Sequence, residues 1–242
     1  MMLGWAALCL ARLPCAGEQP SAFDAANRAF AEGNFSEATR GYESIIARQG
    51  YSAPVLFNLA NAQLRAGKTG AAILNYERAR WLAPSYPDVA ANLRLALERA
   101  KLPIAATSWA SRYADGFSLN VWAGLGAASL FLLAATFLAV LLLPEARPTL
   151  RLARIALVLA LLGTVAAIGS RWAELDRAVV TAKEATARVS PVTMGQALFT
   201  LPEGAMVGFV KPHGRFALIR TQDGHQGWVS RDAVEPVVPV LH

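Results

Sequence analysis

Between Val121 and Leu143 the chain carries 23 consecutive residues without a charge, most of them Leu, Ala, Val or Phe. At about 1.5 Å of rise per residue, a helix of that length covers the roughly 30 Å of a bilayer's hydrocarbon core. In lipid a single segment can satisfy its own backbone groups only as a helix. A second run, Ile155 to Ser170, has 16 uncharged residues. It is bounded by Arg154 and Arg171, which can snorkel from either end, and Trp172 can anchor the far side. The segment between them, 144–154, is too short to be a domain. The two runs therefore predict a transmembrane hairpin, 121–143 and 155–172, with both flanks on one side. Composition agrees: 55% of the chain is hydrophobic and 17% charged, against about a quarter charged in ordinary soluble domains.

Before the hairpin the chain repeats itself. Gly33, Ala38 and Tyr42 recur as Gly67, Ala72 and Tyr76, and Asn27 recurs as Asn61, always 34 residues on. Thirty-four is the period of the tetratricopeptide repeat, a helix-turn-helix unit. Leu59, Ala60, Gly67, Ala72, Tyr76, Ala79 and Pro84 resemble that family's consensus. Small residues at Ala26, Ala38, Ala60 and Ala72 let helices approach closely, and Gly33 and Gly67 permit tight turns. A further helix, about Pro87 to Lys101, continues the register and reads as the terminal cap that repeat arrays need. The domain is expected over 18–101. Similarity to the repeat family places Asn27, Phe57, Asn58, Asn61 and Asn92 in a peptide-binding groove, where amides can clamp an extended backbone. The competing expectation is that these amides bond the adjacent helix.

Segment 102–120 reads as an interfacial linker. Trp109, Tyr113 and Phe117 fall at spacings of four and would share one helix face at a membrane surface, with Trp122 at interface depth. Residues 178–242 alternate short apolar runs with Gly, Pro and Asp. Five strands are expected there: Val179-Val180, Ala187 to Val189, Ala205 to Val210, Phe216 to Arg220, and Gly227 to Val229, with a turn at Gln222-Asp223-Gly224. The pattern Ala187-Arg188-Val189-Ser190-Pro191, Gly195, Leu201, Gly204, Asp223-Gly224 and Gly227-Trp228-Val229 resembles the bacterial SH3-like barrel. Phe199, Phe216 and Trp228 are its candidate surface aromatics.

The N-terminal run Met1 to Leu10 followed by Cys15, Ala16 and Gly17 is expected to be a cleaved secretory signal, residues 1–17, the alternative being an apolar cap on the first helix. Cys9 and Cys15 are the only cysteines, which excludes disulfides, Cys-ligated zinc and a thiol nucleophile from the rest of the chain. His213, His225 and His242 show no ligand spacing. No phosphate-binding or nucleophile-elbow motif occurs outside an apolar run. These observations lead to an expectation of a non-enzyme without metal or cofactor. The net charge of +6 is spread along the chain, so no basic patch argues for nucleic acid. Three arginines in 144–154 favour a cytoplasmic hairpin loop and, with the signal, extracytoplasmic flanks at a bacterial cytoplasmic membrane.

The expected fold class is therefore a multidomain membrane protein: an all-α tetratricopeptide repeat domain, an α-helical transmembrane hairpin and a C-terminal all-β SH3-like barrel. That order resembles the aerotolerance-operon family labelled BatE. The resemblance implies a membrane scaffold or adaptor working beside von Willebrand factor A domain membrane proteins and a MoxR-type ATPase, in oxygen tolerance or envelope stress. The alternative is an envelope sensor whose SH3-like domain binds peptidoglycan.

Overall fold

The computed structural model describes residues 21–104, 109–172 and 174–238. The expected signal, 1–17, lies outside the described residues. Five helices come first: α1 (Ala22–Ala31), α2 (Phe35–Gln49), α3 (Ala53–Arg65), α4 (Thr69–Leu82) and α5 (Pro87–Arg99). Ser21 caps α1 by accepting from the Asp24 N–H at 3.2 Å, and Pro54 and Pro87 sit in the first turns of α3 and α5, where their missing N–H costs nothing. The three odd-numbered helices end alike. Gly33 and Gly67 take φ of 82° and 77°, and Asn34 N–H and Lys68 N–H reach back to the carbonyls of Ala29 and Gln63 at 2.9 Å. This is the glycine-terminated closure that satisfies a helix's last carbonyls. A third copy lies 34 residues on: Lys101 has φ 55°, and Leu102 N–H bonds Leu97 O at 3.0 Å. The repeat thus extends one turn beyond what the glycines mark.

Ala38, Ala60 and Ala72 are fully buried where helices cross, and Tyr42 and Tyr76 fill the spaces between hairpins. Beyond Leu102, α6 (Trp109–Ala114) leads into α7 (Leu119–Leu142) and α8 (Arg147–Trp172). These last two have 24 and 26 residues and are long and apolar enough to cross a membrane. Leu and Phe side chains are exposed along both, as at Phe131, Leu141 and Leu159. The pair packs closely at Gly126, where an added Cβ would lie 3.3 Å from the Thr164 hydroxyl. Thr164 and Ser129 satisfy their hydroxyls by donating to Leu161 and Leu125 carbonyls of their own helices.

Three sequence expectations are revised in this region. The connection between α7 and α8 is a single 3-10 turn at Pro144–Ala146, so Arg147, Arg151 and Arg154 lie on the first turns of α8 rather than in a loop. Three charges at one end do not break a helix whose remaining length is apolar. Phe117 lies beyond the helix that holds positions 109 and 113, because α6 stops at Ala114 and the chain turns at Gly116. Tyr113 and Phe117 instead meet on Trp122, their ring centroids 4.9 and 5.4 Å from it, while the buried indole donates to Ala114 O at 2.9 Å. Arg171 does not reach for headgroups; its side chain is 2% exposed, inside the protein.

The C-terminal unit is a seven-stranded antiparallel sheet of order β3-β2-β6-β5-β4-β1-β7, with β1 (Arg177–Val180), β2 (Glu184–Arg188), β3 (Ala197–Pro202), β4 (Met206–His213), β5 (Phe216–Arg220), β6 (Gln226–Ser230) and β7 (Val234–Pro236). Two strands, β3 and β7, exceed the expected five. β3 lies on an edge with every residue at least partly exposed, and β7 has three residues ending on a proline. Neither offers the buried alternation that reveals a strand. The turn between β5 and β6 falls at Thr221–His225, as expected.

The sheet does not hang free of the helices. Ala178, Val179 and Val180 of β1 share one apolar core with Ala72, Ile73, Tyr76, Leu93 and Leu97. Helix α4 is consequently buried all round, from Ala72 to Ala79 without a break. At its N-terminus Gly70 approaches so closely that a Cβ would lie 2.6 Å from Val180 O, and its N–H donates to Glu203 at 2.7 Å. Arg78 completes the joint, donating to the carbonyls of Val237 and Pro236 and pairing with Glu235 at 2.8 Å.

Candidate binding surfaces and the junction between units

The candidate amides form a ladder across the odd-numbered helices. Asn27 Oδ1 on α1 accepts from the Tyr42 hydroxyl at 2.6 Å and from Asn58 Nδ2 on α3 at 3.2 Å. One repeat later Asn61 Oδ1 accepts from the Tyr76 hydroxyl at 2.6 Å and from Asn92 Nδ2 on α5 at 3.0 Å. Every member is shifted by the same period. Burial raises the pKa of both phenols, that of Tyr76 to about 12, so each remains a protonated donor to its asparagine. The amides therefore bond the adjacent helix, and the remainder of their bonding capacity is what a ligand could use. Asn27 and Asn61 keep Nδ2 donors and Asn58 and Asn92 keep Oδ1 acceptors. Phe57 is committed elsewhere: its ring lies against Tyr76 and Tyr86, with centroids 6.1 and 5.6 Å away.

The three aromatics of the sheet do not form one surface. In an antiparallel ladder, directly paired residues point to the same face. Arg188 pairs with Trp228, Trp228 with Leu218, and Leu218 with Lys211, and Phe216 lies two residues from Leu218, so Trp228 and Phe216 share the outer face. Phe199 pairs with the buried Ala187 and covers Gly227, where a Cβ would stand 3.4 Å from its ring. It closes the core on the opposite face.

A junction that the sequence does not single out joins the hairpin to both units. Arg171, in the last turn of α8, donates to Trp81 O at 2.8 Å near the C-terminal end of α4 and lies 4.7 Å from the centre of the Trp81 ring. There it meets the negative end of the α4 dipole. Arg80 pairs with Glu77 at 2.9 Å, Asp115 at 3.3 Å and Glu174 at 3.5 Å, and Glu174 also pairs with Arg177 at 3.2 Å. With Arg171 near Asp115 at 3.8 Å, three cations face three carboxylates drawn from α4, the turn before α7, the end of α8 and β1. Burial pushes the Asp115 carboxyl above its ordinary value even though Arg80, Arg171 and Arg177 oppose the shift. Glu77, Arg80, Asp115, Glu174 and Arg177 line a cleft of about 860 Å³ together with Leu93 and Leu97 of α5, Ile104, and Met206 and Phe209 of β4. The signal for this junction is visible by comparing the two repeats. Where α2 carries Ser36, Thr39, Arg40, Ser44 and Ala47, α4 carries Gly70, Ile73, Leu74, Arg78 and Trp81. The outer face that is polar in the first hairpin is built to dock in the second.

Among the described residues no group of three or more His, Cys, Asp or Glu is arranged to hold a metal ion. Comparison with protein-family models, with curated proteins and with solved structures finds no match to the chain.

Proposed function

We propose that the chain is a membrane-anchored, non-enzymatic scaffold whose helical hairpins, of tetratricopeptide type, hold an extended segment of a partner protein. The observation that supports this most directly is the ladder. Two successive repeats keep an amide donor beside an amide acceptor at the same interval, which suits a peptide backbone whose N–H and C=O groups also recur. The resemblance to the aerotolerance-operon family supplies the partner class: von Willebrand factor A domain membrane proteins and a MoxR-type ATPase system. α7 and α8 form the anchor, with the helical unit and the SH3-like sheet both on the extracytoplasmic side. Their junction at one end of the hairpin and the three arginines at the other favour that orientation.

The test follows from the ladder geometry. Asn27→Asp with Asn61→Asp keeps an oxygen for each tyrosine hydroxyl and each neighbouring amide, and replaces only the remaining Nδ2 donors. The pair should leave the melting curve of the detergent-solubilised chain close to that of the wild type and should abolish co-purification of its membrane partners. Undiminished co-purification, together with loss on truncation after Trp172, would transfer the binding role to the sheet. Sedimentation with purified cell wall by the wild-type chain would favour the sensor reading instead.

A further inference from the structure

The sheet sorts its charges by face. Residues 174–238 contain seven basic and seven acidic side chains, but the acids are drawn toward the helices. Glu203 binds the Gly70 N–H, Glu235 pairs with Arg78, and Glu174 pairs with Arg80 and Arg177. The outer face is left basic. Across β2, β6, β5 and β4 runs the row Arg188, Trp228, Leu218, Lys211, with His213 beyond Lys211 and Arg220 beyond Leu218. Among the described residues no carboxylate lies within 4 Å of Arg188, Lys211 or Arg220. Glu184 lies on this face at the far end of β2, and at the other side Arg220 opens into the cleft that holds Glu174 and Asp176. Arg188 also donates to Gly195 O at 2.7 Å, which holds the 189–196 loop, with its exposed Val192 and Met194, beside the row.

We propose that this outer face binds an acidic polypeptide segment of a partner protein, its carboxylates on Arg188 and Lys211 and its apolar side chains on Leu218, Phe216 and Met194. The inference deepens the scaffold reading and rests on it for the partner being a protein. The structure favours a polypeptide over a cell-wall sugar because the Trp228 ring is flanked by polar side chains. Lys211 Nζ lies 5.9 Å from its centre and His213 packs edge-on at 5.8 Å, where a stacking pyranose would have to displace them. A membrane surface is disfavoured by position. The row's centre, on β6 and β5, is three and two strands from β1, the strand that continues from the hairpin, or about 10 to 14 Å along the sheet.

The test uses the full chain in an uncharged detergent and, as probe, a fluorescein-labelled glutamate-leucine oligomer followed by anisotropy. Binding should weaken with salt and fall about tenfold or more in Arg188→Glu with Lys211→Glu, as charged interface contacts do when reversed. Arg40→Glu with Arg48→Glu, at exposed positions of α2, makes the same change in net charge and should leave binding intact. Equal loss in that control would reduce the effect to overall charge and overturn the proposal. It would also be overturned if the row variant lost binding to purified cell wall or to phosphatidylglycerol vesicles while the oligomer never bound. Arg188→Gln with Lys211→Gln, checked for an unchanged melting curve, covers misfolding of the reversed pair. Asn27→Asp with Asn61→Asp should not affect the oligomer, so failure of the groove and failure of this face give different results.

Discussion

Gly70→Ala is the smallest change that tests whether the sheet and the helices form one body. The added methyl carbon would stand 2.6 Å from Val180 O, 2.8 Å from Glu203 Cγ and 3.1 Å from Thr181 Cα. Glu203 can swing away, but the Val180 carbonyl cannot move cheaply. It accepts from Gly204 N–H at 2.8 Å, and Val180 N–H is held by Ala205 O at 3.0 Å. Overpacking of this kind costs about 1 to 3 kcal/mol. If the gap opens far enough to release the Glu203 carboxylate from the Gly70 N–H, about 1.5 to 3 kcal/mol is added. Alanine's helix preference returns at most about 1 kcal/mol, and less in a first turn. With the carboxylate released the net loss is about 1.5 to 5 kcal/mol, or roughly 3 to 20 °C in the first unfolding transition of a chain this long.

The assay is thermal unfolding of the full chain in detergent, followed by far-ultraviolet circular dichroism. Ser36→Ala provides the internal control, since Ser36 occupies the same repeat position on α2 and is exposed; it should shift the transition by no more than a surface substitution does, about 0.5 kcal/mol. Coincident curves for wild type and Gly70→Ala would mean that α4 does not carry the sheet at Val180, and the shared core would have to be abandoned.

Four further outcomes follow. Lys101→Gly should stabilise the helical unit by about 0.5 to 1 kcal/mol, because a left-handed lysine costs about 1 to 2 kcal/mol and glycine gives part of that back in the unfolded chain; a lower melting temperature would refute the third helix closure. Tyr76→Phe should cost about 1 kcal/mol through loss of the Asn61 bond alone, far less than the 3 to 5 or so expected for Tyr76→Ala, and equal losses would contradict the ladder. Arg171→Ala should make the segment between Leu102 and Leu119 more sensitive to protease while leaving α7 and α8 assembled, and an unaltered digestion pattern would contradict the junction. Because burial raises the Asp115 pKa in the folded chain, its protonated form contributes stability that is fully present below the ordinary value of about 4 and is lost as pH rises through the raised value. Asp115→Asn should therefore remove a stability loss that the wild type shows just above pH 4; parallel pH profiles would refute it.

The helical hairpins were legible because their signals are local and repeated: a glycine in each turn, an alanine at each crossing and a tyrosine in each gap. The third turn, at Lys101, carries no such signal because its position is filled by a residue that rarely takes positive φ. The apolar hairpin was legible for the same local reason, a long run without charge. What was not legible depends on pairs far apart in sequence. Arg171 reads as a terminal arginine of a membrane helix until Trp81 and Asp115 are placed beside it. Glu203 and Gly70 are 133 residues apart, and neither type carries a motif. Phe199 and Trp228 look equivalent in a list of aromatics and separate only once strand pairing assigns each to a face. One long-range signal was present and could be read only by aligning the repeats, the exchange of Thr39, Arg40 and Ser44 for Ile73, Leu74 and Arg78.

That exchange also constrains how the molecule can respond to a partner. Only Ala173 to Asp176 separate the last turn of α8 from β1, and β1 lies in the same core as α4. Arg171 bonds the Trp81 carbonyl of α4 one residue before α8 ends. A tilt of α8 therefore cannot be absorbed by a linker. It either breaks the Arg171 contacts or carries α4 and the sheet with it. Removing one partner from a buried ion cluster costs about 3 to 5 kcal/mol, more than a typical coupling free energy of about 1 to 3 kcal/mol, so the cheaper response is concerted motion. Ligand contacts on the odd-numbered helices and on the outer face of the sheet would then bear on one rigid body, and the orientation of both surfaces relative to the hairpin is set by the charges around Arg80 and Arg171.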